Sequence, residues 1–181
     1  MRGYWRPVQY PLSHHADASE AAGSSSGELT SRQIVPYLFE LPMEIAMHRA
    51  AGTFQIRMTP AEARPDAEPD APGRMLIEKH YSGGLEGSGE GEMLAMMIAQ
   101  SGAYVAMERI RGNLDGHDGA FTVVHRGIMD AGRHELSITI VPGSGAGALE
   151  GISGVYYLSI ENGVHSYVLE YRLPGDHQGS V

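Results

Sequence analysis

The sequence predicts an all-β protein, a small antiparallel β-barrel of about eight strands. Three observations lead there. From residue 51 to residue 173, runs rich in β-branched and aromatic residues recur at spacings of about 8–12 residues. The motifs Gly83-Gly-Leu-Glu-Gly87, Gly112-Asn-Leu-Asp-Gly116 and Gly147-Ala-Leu-Glu-Gly151 repeat one turn-like pattern. Glycine there suits tight reversals, and the leucine between is placed to plug the end of a core. No stretch sustains the 3.6-residue period of a long helix.

The elements follow in order. Residues 53–59 alternate, with Phe54, Ile56 and Met58 on one face against Gln55 and Arg57 on the other. Residues 60–73 are a proline- and acid-rich loop. A strand over 74–82 leads to a glycine-rich hairpin at 83–91 and a further strand over 92–99. Residues 102–112 form the next strand, and the Gly112–Gly116 motif turns it into 120–129. A turn at 130–133 precedes the strand 135–141. A third hairpin begins at Pro142 and delivers 155–161. Asn162-Gly163 is the strongest two-residue hairpin signal in the chain and leads into 164–173; Pro174-Gly175 ends the fold.

Residues 1–46 read differently. His14-His15, the Ser24-Ser25-Ser26 run and the prolines 7, 11, 36 and 42 support no period, so a disordered or loosely docked extension is expected. The composition shift before Ala51 raises the expectation that native translation starts at Met43 or Met47. The barrel domain is assigned to 47–175 and a short tail to 176–181.

Composition excludes several functions. The formal net charge of −9 speaks against nucleic acid and against an anionic membrane surface as partners. There is no cysteine, so disulfides, thiolate catalysis and Cys-ligated metals are ruled out. No run approaches the roughly 18 apolar residues of a spanning helix, and Pro7 and Pro11 interrupt any signal-like segment. A cytoplasmic location is the resulting expectation.

Taken together, the stretches Ala51-Gly-Thr-Phe54, Gly91-Glu-Met-Leu94, Gly102-Ala-Tyr-Val-Ala-Met-Glu108 and Phe121-x-x-x-His125-x-Gly127-x-Met129 join the three turn motifs. With Val141-Pro142, His165-Ser-Tyr167 and Tyr171-x-Leu-Pro174, they resemble a bacterial family of unknown function that folds as an allene oxide cyclase-like barrel. The resemblance covers about residues 50–174. It implies the barrel and a homo-oligomer, and it supplies no activity, since fold alone does not carry function.

Barrel strands alternate between lumen and exterior. If Phe121, Val123 and His125 face inward, with Tyr104, Ala106 and Glu108, and with Ile77, Lys79 and Tyr81, then Lys79, Glu108 and His125 converge. Glu108 and His125 are then candidates for acid–base work, and Lys79, Tyr104, Tyr167 and Tyr171 for ligand contacts. The same residues fit a structural ion pair and a hydrogen-bonded core histidine, and both faces of 104–110 are largely apolar.

Nine histidines offer no His-x-His or His-x-x-x-His pair, so no metal is expected. Met93, Met96 and Met97 fit a pliable pocket or gap-filling core. Residues 143–147 lack the following helix that a phosphate loop requires, and no cofactor is implied. The function expected is binding of a small apolar molecule in the lumen or mouth. The alternatives are an isomerase or cyclase using Glu108 and His125, and an oligomeric structural module. The exterior does not read as apolar enough to demand a partner.

Overall fold

The computed structural model describes residues 47–62, 68 and 71–175. The extension 1–46 and the tail 176–181 lie outside the described residues, as do residues 63–67, 69 and 70 of the 60–73 loop. The elements are β1 (His48–Pro60), β2 (Gly73–Gly83), β3 (Leu85–Ile98), β4 (Ser101–Leu114) and β5 (His117–Asp130). They continue as β6 (Arg133–Ile140), β7 (Ala146–Gly147), β8 (Ser153–Glu161) and β9 (Val164–Arg172). Among the described residues there is no helix, and so none long and apolar enough to cross a membrane.

Neighbours pair antiparallel in the order β4-β3-β2-β1-β9-β8-β6-β5, and β4 pairs with β5 to close the sheet into an eight-stranded barrel. The short β7 continues the work of β6 along one edge of β5: β6 takes Val123–Asp130, and β7 takes Gly119 and Ala120. The seam between β6 and β8 is thin, with Thr139 opposite Val155 as its one register pair.

Closely spaced turns produce this meander. Asp115-Gly116, Ala131-Gly132 and Asn162-Gly163 all hold positive φ at both residues, the conformation whose twist matches that of a right-handed hairpin. One expectation changes here. The hairpin read at 83–91 is only the tight reversal at Gly83-Gly84, and β3 runs unbroken from Leu85 to Ile98. Its glycines at 87, 89 and 91 lie in the lumen-facing phase, where they act as space rather than as turns. The third turn also differs. After β7 the chain makes one further turn through Leu149 before β8 begins.

The three motif leucines, Leu85, Leu114 and Leu149, are all buried in one cluster. Leu85 and Leu114 are directly paired across β3 and β4, and with Ala50, Ile152 and Leu173 they stopper one end of the barrel. A second cluster of Ile77, Met93 and Ala106, flanked by Met75 and Tyr104, fills the lumen toward the other end. Between these two apolar layers lies a polar one.

Candidate functional site

Lys79 on β2, Glu108 on β4 and His125 on β5 all point into the lumen and are 3%, 0% and 6% exposed. Register explains how they meet. Glu108 pairs with Val123, and His125 with Ala106, so the carboxylate and the imidazole are diagonal neighbours on adjacent strands. Lys79 and Glu108 sit two strands apart, with β3 between them. On β3 the residues facing them are Gly89, opposite Lys79, and Gly91, opposite Glu108. A Cβ on Gly89 would lie 2.0 Å from Glu108 Oε1. The missing side chain is what lets the lysine and the glutamate reach each other over the intervening strand.

The contacts are short and directional. Lys79 Nζ donates to Glu108 Oε2 at 2.7 Å, and the Tyr81 hydroxyl donates to Oε1 at 2.6 Å. Lys79 also lies 3.3 Å from the Tyr81 oxygen, with its ammonium 4.7 Å from the centre of the Phe54 ring. His125 Nε2 stands 3.2 Å from Glu108 Oε2, in electrostatic contact with it but without well-formed hydrogen-bond geometry. The buried Tyr156 hydroxyl lies against that of Tyr81 and interacts with it, but likewise without well-formed hydrogen-bond geometry.

These surroundings set the charges. Burial alone pushes Glu108 up, but the Lys79 ammonium, helped by His125 and Tyr81, outweighs it and holds the carboxyl at about 2. Burial lowers His125 below its ordinary 6.5, against the pull of Glu108. The imidazole is therefore neutral near pH 7. Burial raises Tyr81 and Tyr156 well above the usual phenol range, and both stay protonated. The layer is thus one closed ion pair with a neutral histidine and two phenols around it. Desolvation of both charges offsets most of their attraction, so the pair adds little net stability over an apolar replacement.

The structure brings Lys79, Glu108 and His125 into one cluster and distributes the three candidate tyrosines. Tyr104 is half-buried, packs with Ile77, Met93 and Ala106, and lays its ring where a Cβ on Gly127 would be. Tyr167 stacks on Tyr156 with centroids 5.7 Å apart, and its oxygen accepts from the Leu85 amide at 2.8 Å. Tyr171 lies toward the stoppered end, donating to Asp115 at 2.9 Å. Two members of the polar layer were not singled out from the sequence as site residues, Tyr81 and Tyr156. Tyr81 was detectable two residues after Lys79 on the same face. Tyr156 was masked by Tyr157 beside it, which points outward.

Two grooves open on the barrel, one of them sharing Phe54 with this layer. One of about 580 Å³ is lined by residues 53–56 of β1, His80 and Ser82 of β2, and residues 163–165 at the start of β9, with an even mixture of polar and apolar surface. Phe54 belongs to both regions, since it lines the groove and carries the Lys79 ammonium over its ring. The other, of about 630 Å³, lies at the base of the 60–73 loop against Pro60, Pro72, Met75 and Leu94. Among the described residues, no group of three or more His, Asp or Glu is placed to hold a metal ion.

Fold and site together define a class: a closed antiparallel barrel, stoppered at one end, with a desolvated Lys–Glu–Tyr layer across its middle. Residues 50–171 match the family described as "Protein of unknown function (DUF3224)", and the chain belongs to that family. It is similar to the crystal structure of a protein of unknown function from the same family, from Shewanella oneidensis MR-1. The two are 38% identical with a TM-score of 0.65, and the match covers 71% of this chain and 100% of that one. No curated protein matches.

Proposed function

We propose that the barrel binds a small, largely apolar molecule, which enters over Phe54 and turns its polar end toward Lys79, His125 and Tyr156. The observation that carries this reading is a pair of buried polar atoms, His125 Nε2 and Tyr156 Oη, that touch Glu108 and Tyr81 without a well-formed hydrogen bond, beside an ion pair that is itself closed. Buried polar groups without a well-formed hydrogen bond are rare in folded proteins, and each one costs free energy. A ligand oxygen that reaches either of them would supply a well-formed hydrogen bond that the protein does not. The groove at Phe54 is of the size that small-molecule sites take. A carbonyl or carboxyl group suits the donors offered, Tyr156 O–H and the lysine ammonium.

The acid–base reading has narrower support. A carboxyl held at about 2 accepts protons poorly near neutral pH, which leaves His125 as the one base in the layer. Native mass spectrometry of protein purified from its own host tests the binding proposal. The expected result is a reproducible adduct, released on denaturation, whose retention falls about 3- to 10-fold in Tyr156→Phe, the worth of one hydrogen bond. A wild-type spectrum without an adduct, together with no rise in melting temperature across a panel of medium-chain ketones and carboxylic acids, overturns it.

A further inference from the structure

The exterior of the barrel carries an apolar face that the lumen does not explain. Leu94 on β3, Val105 and Met107 on β4, and Val124 on β5 stand side by side on the outside, with Met96 adjoining. Leu94, Val105 and Met107 are 47%, 51% and 56% exposed. The register makes them one surface: Leu94 pairs with Val105, and Met107 with Val124. Contiguous apolar patches of this kind mark interaction sites in soluble proteins.

The charges around the patch indicate its occupant. Three neighbours are already engaged: Arg74 with Glu92, Arg57 with Glu78, and Arg109 with Thr122 and the Ser144 carbonyl. Glu90 and Arg126 take part in no ion pair within the described residues. Glu90 pairs with Arg109 on β4, and Arg126 with Val105, so the two lie diagonally on opposite sides of Met107. A two-fold axis in the contact plane, close to the Leu94–Met107 diagonal, sets Arg126 against Glu90 of the partner subunit. The same axis makes the reciprocal pair. Such reciprocity is the signature of an isologous contact.

We infer that the β3–β4–β5 exterior is a homodimer interface, with Met107 at its centre and two reciprocal Arg126–Glu90 pairs at its rim. This is independent of the ligand proposal, because these side chains point away from the lumen.

Light scattering and sedimentation of the full chain test it. Wild type is expected as a dimer, and Met107→Glu as a monomer. Arg126→Glu and Glu90→Arg each weaken the dimer about tenfold or more, and the double variant recovers most of that loss. Circular dichroism and melting curves on the same samples separate dissociation from unfolding. A wild-type monomer assigns the face to another occupant and overturns the inference. So does an assembly unmoved by Met107→Glu, or a double variant that stays apart.

Discussion

Glu108 is the residue whose removal exposes the logic of the polar layer. Its two oxygens are taken by Lys79 and Tyr81, so Glu108→Gln leaves a buried ammonium facing a neutral amide. Breaking a buried pair from one side costs about 3–5 kcal/mol, whereas replacing both partners by apolar groups is often neutral. Chemical denaturation should therefore show Glu108→Gln strongly destabilised, and Lys79→Met/Glu108→Leu near wild type. A double variant as unstable as the single one would mean that the layer supports the fold beyond its charge balance. At this scale the convergence of Lys79, Glu108 and His125 was legible, because alternation along each strand put them in one phase. Their closeness was not legible, since it depends on Gly89, and glycine in a sequence reads as a turn rather than as room for a carboxylate.

The same ambiguity recurs among the elements. Strand number and the Asn162-Gly163 turn followed from local chemistry, because a type of turn demands particular residues. The 83–91 segment misled because its glycines serve packing, and packing is a property of the neighbours. Pairing strength was also invisible locally. Along β1 and β2 the register runs unbroken from Gly52 to Pro60, whereas β6 and β8 share the single register pair Thr139–Val155. Local opening follows the number of ladder bonds that must be broken, so this seam is where the barrel should breathe. Hydrogen exchange is expected to run about tenfold or more faster for β6 and β8 amides directed across the seam than for β1–β2 amides. Uniform protection around the barrel would show that side-chain packing of Ile138, Ile140 and Tyr156 holds the seam without a ladder.

Across the whole molecule, the sequence left open which face of 104–110 turns inward, and the structure shows why. Val105 and Met107 are exposed and apolar on the outside, as Ala106 and Ile110 are buried and apolar on the inside, so apolarity alone does not mark the inward face of this strand. Acid response is the property that couples the layer to global stability. Glu108 has a folded value of about 2 against an ordinary 4.5, so its stabilisation is complete above 4.5 and is lost as pH falls through 2. Taken over its full range, that shift corresponds to about 3 kcal/mol. His125 is also depressed, below 6.5, because burial disfavours the imidazolium, so its contribution is complete above 6.5 and declines as the medium turns more acid. Both signs agree. Melting temperature should be flat above about pH 7, fall gently below 6.5 and fall steeply below 4.5. His125→Gln should flatten the gentle limb and leave the steep one, while Glu108→Gln should do the reverse. A melting temperature that rises between pH 7 and pH 5 would mean that His125 takes up its proton in the folded barrel. Glu108 would then be shared between two cations, and the closed Lys79–Glu108 pair would give way to a three-charge layer.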